Sequence, residues 1–333
     1  YYDVNSLYPY SLLNDLPTGS GICSTDPNLE NWFGFIKVRV KCPSDLKNPL
    51  LPFRQPNNIV IHPTGTWEGC YFSEELKNAQ KYGYSFEIID GLKFEKGFNL
   101  FDDYVNNLFQ LKKNSKGVHS KLAKLLLNTL YGRFGMSDIS SEVSIVTHDQ
   151  AQHILTFHDV YEHEPNLGNG LELIKHSKFV KPSLANQLND DGVTFKNLNE
   201  KYTSKTRSSL VIAAAITSYG RIFMSQFKNS PDNEIIYTDT DSLVLAKPLP
   251  SHFIGPEIGQ FKLEYQCKRF YATNPKVYLI ELFDGKIIQK VAGSNIALTL
   301  NHFEDMLNGS NFVFNQNIWI RNFNNGSISI TVY

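Results

Sequence analysis

Two carboxylates separated by one residue occupy the segment 237–242 (YTDTDS), and this spacing suits a divalent metal ion. The flanking runs 234–237 and 243–246 are short and rich in β-branched or bulky residues, which predicts two strands with the acids in the tight turn between them. Asp239 and Asp241 would repel each other there, with no basic residue nearby in sequence. Carboxylate oxygens are ligands that Mg²⁺ or Mn²⁺ prefers. A solvated surface hairpin is the alternative, and DxD turns also bind metal–nucleotide complexes in sugar transferases.

A third acid, Asp3, lies near the start of the run YYDVNSLYP. The pattern predicts the end of a buried strand, followed by a helix that Asn5 or Ser6 caps and Pro9 helps to start. An acid beside a helix N-terminus can hold a cation, while the exposed backbone N–H groups receive phosphate oxygens. Simple capping of the turn by Asp3 is the alternative.

Apolar residues at helical spacing predict two helices within residues 99–134. On the second helix Lys124, Asn128 and Tyr131 share one face. An ammonium group can bind a triphosphate, an aromatic ring can stack on a sugar or base, and an amide can orient the ligand. Gly132 would allow another backbone or a base to approach closely. An ordinary amphipathic helix with a solvated face is the alternative. Four leucines are expected to form its packing side: Leu122, Leu125, Leu126 and Leu130.

Further polar candidates follow in the second half of the chain. The segment 208–227 is rich in small residues, which predicts a helix packed under a sheet, with Tyr219 and Arg221 near the acid hairpin. Lys276 and Tyr278 are two residues apart in a predicted strand and therefore share a face. A cation beside an aromatic ring could hold a nucleic-acid backbone, although a packed Tyr with a snorkelling Lys is equally consistent.

The elements that must position these residues are mostly strands. A helix is predicted over residues 73–82, with Ser73 as its cap, and another over 300–307. Asp284 and Gly285 predict a hairpin turn. The polar segment 136–205 is interpreted as an insertion whose histidines lie on solvated loops or strands. The predicted strands cover residues 33–40, 59–62, 86–89, 92–94, 257–265, 277–282 and 286–291.

Length and composition limit the classes of protein. The 333 residues, 41% of them hydrophobic, suffice for a large core and two or three sub-domains. The net charge of −1 excludes a global basic field, so nucleic-acid binding would need a local patch. Four dispersed cysteines indicate reduced thiols rather than a disulfide frame or zinc site. No segment is expected to reach the length of a membrane span, and no signal peptide is visible. A chain that opens directly in a motif without Met is expected to be a fragment.

Four segments occur in a fixed order: YDVNSLYP, KLLLNTLYG, YTDTDS and KVY. Together they resemble the polymerase motifs of family B DNA polymerases, over residues 3–278. The similarity is greatest to the protein-primed branch of small phages and of linear plasmids in fungal or plant mitochondria. The segments 91–94, 122–125 and 218–221 also resemble that branch. The resemblance implies DNA-directed DNA synthesis: deoxynucleotides are added to a primer 3′-hydroxyl, which a protein primer can supply, and pyrophosphate is released.

The resemblance also implies roles for individual residues. Asp3 and Asp241, with the Val4 carbonyl, would hold two Mg²⁺ ions (or Mn²⁺), and Asp239 would act with them in catalysis. Tyr8 would exclude a 2′-hydroxyl and so select deoxynucleotides. The other implied nucleotide-binding residues are Lys112, Lys121, Lys124, Asn128 and Tyr131. The implied DNA-binding residues are Thr129, Gly132, Tyr219, Arg221, Lys276 and Tyr278.

The implied fold is an α+β right-hand polymerase, with an antiparallel palm sheet, helical fingers, a small thumb and two insertions. The expected divisions are palm at 1–15 and 207–283, fingers at 99–136, insertions at 16–98 and 137–206, and thumb or its start at 284–333. No exonuclease DxE pattern is present, and that domain would precede residue 1. The expected partners are template and primer DNA, deoxynucleoside triphosphates and a terminal priming protein, with no membrane. A monomer in mitochondria, or otherwise intracellular, is expected.

Two other functions stay open from the sequence. The first is a non-catalytic remnant that binds DNA or the terminal protein. The intact set Asp3, Asp239, Asp241 and Lys124 argues against decay, because drift has no reason to spare all four. The second is a sugar–nucleotide transferase with the same acid turn, which would have no use for the polar stripe around Lys124 or for the KVY segment.

Overall fold

The structure is a computed structural model that describes residues 1–136, 141–181, 209–294, 296–313, 317–322 and 327–332; at 178–180, 317–322 and 327–332 it describes the backbone alone. The fold is α+β with antiparallel sheets, as the sequence predicts. The chain divides into two compact units, unit 1 (1–135 and 209–292) and unit 2 (136–208 and 293–333).

The helices are α1 Leu7–Ser11, α2 Ser73–Gln80, α3 Asp102–Asn114, α4 Val118–Phe134, α5 His148–Phe157, α6 Leu210–Lys228 and α7 Leu300–Leu307. The strands of unit 1 are β1 Tyr2–Val4, β2 Leu16–Ser24, β3 Gly34–Cys42, β4 Phe53–Arg54, β5 Val60–Ile61, β6 Gly65–Phe72 and β7 Ser85–Gly97, then β11 Ile235–Asp239, β12 Ser242–Leu245, β13 Phe261–Leu263, β14 Cys267–Asn274, β15 Val277–Leu282 and β16 Ile287–Val291. Those of unit 2 are β8 Ser141–Thr147, β9 His158–Glu164, β10 Leu171–Val180, β17 Asn317–Asn322 and β18 Ser327–Val332.

A four-stranded antiparallel sheet in the order β11–β12–β1–β13 carries the three acids. Tyr2 pairs with Leu243, so the predicted neighbourhood of the first strand and the acid hairpin is confirmed. Helix α6 packs Met224 and Phe227 into the same core cluster as Tyr2 and Leu243, which confirms the helix predicted beneath the sheet. The burial of these apolar side chains stabilises β1 in its position between β12 and β13.

A second four-stranded sheet has the order β2–β7–β3–β6. The prediction of two short strands at 86–89 and 92–94 is wrong, because β7 runs unbroken through Gly91. At that position a Cβ would lie 2.4 Å from the Phe35 carbonyl oxygen, so only glycine fits the strand pairing. The strands β2 and β6 have no counterpart in the prediction. Both are edge strands, where glycine and proline are tolerated and the usual strand pattern is lost.

Helices α3 and α4 confirm the helical prediction for 99–134, but the packing face of α4 differs. Its buried residues are Ala123 and Leu127. Three of the leucines assigned to the packing side are 40–57% exposed: Leu122, Leu125 and Leu126. The four leucines lie within an arc of about 140°, but the helix is buried at the edge of that arc, beside Leu130, where Ala123 and Leu127 lie.

The predicted helix caps are wrong at two positions. Ser6 precedes α1 with a φ of 60°, and its side chain caps no helical N–H group. Helix α2 starts at Ser73 rather than after it, and the Ser73 hydroxyl accepts the Gly34 N–H. The hairpin predicted at Asp284 and Gly285 is confirmed between β15 and β16, with Gly285 at a φ of 82°.

Unit 2 contains the sheet β8–β10–β9, helix α5 and the hairpin β17–β18. The interpretation of its histidines as solvated is wrong for His176, which is 6% exposed. His148 and His163 each contact one oxygen of the buried Glu172 at 2.6 Å. The predicted helix at 300–307 is confirmed as α7.

Among the helices that the structure describes, α6 is long and apolar enough by length and composition to cross a membrane, contrary to the expectation that no segment reaches that length. This evidence is weak, because the core helix of a globular fold passes the same test. Ala215 and Ile216 pack in one core cluster of unit 1, and Met224 and Phe227 in another.

Candidate active site

The acids Asp3, Asp239 and Asp241 come together at one end of the β11–β12–β1–β13 sheet. Asp3 pairs with Ser242 in the register of β1 and β12, directly after Asp241. The Val4 N–H donates to the Asp241 carbonyl oxygen at 2.9 Å. Asp239 closes β11 opposite Ser242 across the turn. The pairing of β1 with the distant β11–β12 hairpin therefore brings the predicted acids into one cluster.

Crowding of negative charge is the main electrostatic feature of this cluster. Burial raises the pKa of the Asp3 carboxyl to about 6, and the charges of Asp241 and Glu264 add to the shift. Burial also raises the pKa of Asp241, with Asp239 contributing. Each carboxylate would be stabilised by a nearby cation. The oxygen-only donors suit a hard cation such as Mg²⁺.

Protein ligands for such a cation are few. Among the described residues no group of three or more His, Cys, Asp or Glu side chains is arranged to hold a metal ion. Asp239 is partly neutralised, because Lys276 Nζ lies 3.0 Å from its Oδ2. The side chains that fit a cation best are therefore Asp3 and Asp241, with main-chain carbonyls, water or a bound phosphate completing the coordination.

The KVY segment is tied to the acid hairpin. Besides the ion pair with Asp239, the Lys276 N–H donates to the Tyr237 hydroxyl at 2.9 Å. The ring of Tyr278 lies 5.4 Å from that of Tyr237 and 5.6 Å from that of Phe270. These contacts place the predicted DNA-binding residues Lys276 and Tyr278 next to the acids.

A basic group faces the acids from helices α3 and α4. Lys112 Nζ donates to the Ser6 hydroxyl at 3.1 Å. Burial lowers the pKa of Lys112, and the charge of Lys124 lowers it further. Lys124 in turn lowers the pKa of Asp3, so the basic and acidic groups interact. Lys121 is exposed on α4. Close lysines that repel each other would be stabilised by a bound anion.

Two tyrosines near the acids pack against each other, Tyr8 of α1 and Tyr131 of α4. The ring centroids of Tyr8 and Tyr131 are 4.3 Å apart. Burial raises the pKa of Tyr8, and Tyr131 and Asp241 contribute, so the hydroxyl stays neutral near both. Behind Tyr8, α6 approaches closely, since a Cβ on Gly220 would lie 3.5 Å from its ring.

The remaining predicted residues have separate surroundings. Asn128 and Gly132 are exposed on α4, and a Cβ at Gly132 would meet no atom within 4 Å. The Thr129 hydroxyl donates to the Leu125 carbonyl within the helix. On α6, the Tyr219 hydroxyl donates to the Asp15 carbonyl at 2.8 Å. Arg221 contacts both oxygens of Glu75, at 2.5 and 2.8 Å. DNA binding by these residues stays a prediction.

Several groups at the site were not predicted from the sequence. Lys262 lies opposite Asp3 in the register of β13 and pairs with Glu264 at 2.9 Å. Both interact electrostatically with Asp3. The alternation of Lys262 and Glu264 is the only local signal for a strand here, and it does not reveal that the partner strand carries Asp3.

The backbone around the acids departs from ordinary conformations. Among the described non-glycine residues, six have positive φ, and three of these are asparagines, which tolerate that region. The other three all adjoin the acid cluster: Ser6 (φ 60°), Thr240 (φ 54°) and Lys276 (φ 60°). For a β-branched residue such as Thr240, this conformation is strained.

The carboxyl of Asp3 is expected to titrate near pH 6 in the metal-free protein. Its native pKa of about 6 exceeds the ordinary 3.8, so the native state binds this proton more tightly than the unfolded state does. The free energy of unfolding should therefore fall as the pH rises from about 4 to about 6, by ~1 kcal/mol for this half-exposed group. NMR titration of the side-chain carboxyl carbon, assigned by its loss in Asp3→Asn, checks this. A midpoint near 4 would contradict it, and added Mg²⁺ should lower the midpoint.

Comparison with known proteins identifies the family of the chain. A family described as DNA polymerase type B, organellar and viral, matches residues 1–234. A probable DNA polymerase of Agaricus bitorquis is 34% identical over 99% of this chain and 43% of its own length. The DNA polymerase of Bacillus phage phi29 is 30% identical over 86% of this chain and 47% of its own.

A solved structure of phi29 DNA polymerase, complexed with primer-template DNA and incoming nucleotide substrates, superposes with a TM-score of 0.65. The match covers 99% of this chain and 56% of that chain, at 18% identity, which supports a polymerase fold. The chain thus spans roughly half of the relatives that it matches. The family match over residues 1–234 covers most of the sequence, and the relatives extend the similarity beyond it. The chain therefore belongs to the organellar and viral group of type B DNA polymerases.

Proposed function

We propose that this chain is the polymerising part of a DNA polymerase, which adds deoxynucleotides to a primer 3′-hydroxyl under the direction of a DNA template. The observation that carries the proposal is the position of Asp3 beside Asp241, with the pKa of both carboxyls raised and a lysine pair facing them. Acids that need a cation and lysines that need an anion together suit a metal–triphosphate substrate. Membership of the polymerase family supports the same substrate.

Two Mg²⁺ ions, or Mn²⁺, would be held by Asp3, Asp241 and the Val4 carbonyl. When bound, they would lower the pKa of the primer 3′-hydroxyl and neutralise the charge of the leaving pyrophosphate. Asp239 holds Lys276 close to the acids and stays near enough to act with them. Phosphoryl transfer asks little covalent chemistry of the protein, so positioning by these side chains is the main contribution.

The basic and aromatic groups would bind the nucleotide. Lys112 and Lys124 would contact the triphosphate, with Lys121 as a further phosphate contact. Tyr8 and Tyr131 would line the sugar and base. Asn128 on the same helix would orient the nascent base pair. Residues proposed to contact template or primer DNA are Thr129, Gly132, Tyr219, Arg221, Lys276 and Tyr278.

The proposed subdivision follows from these roles. The sheet with the acids and α6 would be the palm (1–15 and 207–283), α3 and α4 the fingers (99–136), and 284–333 the thumb or its start. The segments 16–98 and 137–206 would be insertions that grip a terminal priming protein and clamp the template. We further propose a monomer in mitochondria, or otherwise an intracellular one. None of these proposals needs a membrane.

Replacing Tyr8 by Val is expected to weaken the preference for deoxynucleotides by about 10²-fold. The ring of Tyr8, held against Tyr131, would stand where a 2′-hydroxyl projects. Single-nucleotide insertion with dNTP and NTP gives the ratio of the two kcat/KM values. Tyr8→Phe is the matched control, since it keeps the ring and should keep the preference. An unchanged ratio in Tyr8→Val would remove Tyr8 from the sugar site.

Primer extension with a labelled primer–template, Mg²⁺ and deoxynucleotides tests the proposed function. Extension by the chain supports it. DNA binding without extension would favour the non-catalytic remnant, and turnover of a sugar nucleotide would favour the transferase. Adding a hydroxyl-bearing priming protein in place of the primer would separately test the protein-primed mode.

A further inference from the structure

A cavity of about 510 Å³ opens beside β13, on the side of β1 opposite to the acid hairpin. This volume lies within the range of small-molecule sites. Three lysines line it, Lys112, Lys113 and Lys262, and none of its described lining residues is acidic. Asn5 and Ser120 add polar groups, and Phe109 and Phe261 supply apolar walls. Lysine-rich lining without acids is typical of a site for a multiply charged anion.

The cavity adjoins the proposed triphosphate site. Lys112, which would contact the triphosphate, also lines the cavity. Lys262 lies directly across from Asp3 in the strand register, and Asn5 follows Asp3 by two residues. An anion released beside Lys112 therefore already contacts the lining of the cavity.

Lys113 and Lys262 can bind an anion in place of the glutamates with which they are paired. Lys113 pairs with Glu257, with side chains 39% and 51% exposed. Lys262 pairs with Glu264 at 2.9 Å, and its own side chain is 61% exposed. Exposed ion pairs of this kind contribute little free energy, so a polyphosphate with several charges can compete with each glutamate. Lys112 contacts the Ser6 hydroxyl and forms no ion pair in the described part of the chain.

We propose that this cavity binds the inorganic pyrophosphate released at each nucleotide addition, an inference that rests on the proposed function. In that reaction the primer 3′-oxygen bonds to the α-phosphorus and the bond from that phosphorus to the bridging oxygen breaks. The electron pair stays on the pyrophosphate, and the hydroxyl proton goes to solvent. Lys112, Lys113 and Lys262 together would bind the pyrophosphate after it leaves the α-phosphorus.

Pyrophosphorolysis, the reverse reaction, measures this binding directly. Pyrophosphate is titrated against a fixed primer–template, and the half-saturating concentration is compared with the KM for deoxynucleotide in the forward direction. Lys262→Gln and Lys113→Gln are each expected to raise the half-saturating pyrophosphate concentration about tenfold. This increase should exceed the change in nucleotide KM at least fivefold. Lys47→Gln is the matched control, because Lys47 is an exposed lysine paired with Glu234 at 2.8 Å in the same unit.

Equal effects of Lys262→Gln on pyrophosphate and on nucleotide would overturn the proposal, as would an effect no larger than that of Lys47→Gln. Calorimetric titration of the chain with inorganic pyrophosphate and Mg²⁺, without DNA, separates this inference from the proposed function. Binding that Lys262→Gln weakens supports the cavity even in a chain that extends no primer. If the chain extends primers normally and neither variant alters pyrophosphate binding, the cavity is not the pyrophosphate site, while the proposed function still holds.

Discussion

Replacing Asp241 by Asn is expected to slow primer extension by at least about 10³-fold. The substitution keeps the shape of the side chain, but it removes one of the two carboxylates that are free to hold a cation. Asp239 cannot substitute for it, because Lys276 lies 3.0 Å from its carboxylate. Single-turnover extension of a labelled primer measures the rate, and DNA binding is measured alongside.

The same variant should not lose stability. Asp241 contributes to the raised pKa of Asp3, so its removal relieves repulsion in the metal-free protein, and the pKa of Asp3 should fall towards its ordinary value. Asp232→Asn is the matched control, since Asp232 is exposed ahead of the same hairpin and should extend primers normally. An Asp241→Asn chain that extends primers within tenfold of the wild-type rate would contradict the proposed site.

Replacing Arg221 by Gln is expected to lower the free energy of unfolding by about 3 kcal/mol. Arg221 of α6 binds both oxygens of Glu75 of α2, and the Glu75 side chain is only 4% exposed. Without the guanidinium, a buried carboxylate is left uncompensated between two packed helices. Urea unfolding followed by tryptophan fluorescence gives the difference.

Two variants make this measurement decisive. Arg39→Gln is the matched control, because Arg39 also contacts two carboxylates, of Glu68 and Glu87, but at the surface, and it should cost less than ~1 kcal/mol. The double variant Glu75→Gln with Arg221→Gln should recover at least about half of the loss, since neither side chain then carries a buried charge. A loss in Arg221→Gln no greater than in Arg39→Gln would show that the pair does not join the helices.

The meeting of Asp3 with the acid hairpin could be predicted from the sequence, because the residue types and order of the motifs determine which segments must converge. Lys262 opposite Asp3 could not be predicted. Strand β13 has three residues, too few for a strand period, and its partner is fixed by a pairing across more than 250 positions. The cavity beside β13 could not be predicted from the sequence for the same reason.

The local sequence pattern also gives wrong predictions where contacts with distant segments determine the structure. The leucines of α4 predict the wrong packing face, because the buried residues are Ala123 and Leu127. The sequence does not predict the edge strands β2 and β6, because glycine in both and proline in β2 are typical of turns. The Arg221–Glu75 pair joins segments 146 residues apart, and nothing in either segment indicates the other.

The left-handed backbone at Ser6, Thr240 and Lys276 implies a trade-off between folding stability and catalytic activity. These three turns hold the acids, the lysine that faces Asp239 and the serine that meets Lys112, and each departs from the conformation that its residue type prefers. Glycine at Thr240 would relax the chain locally and make the folded molecule more robust. It would also let the Asp239 and Asp241 carboxylates adopt more orientations, so a variant stabilised at this turn is expected to be a slower catalyst.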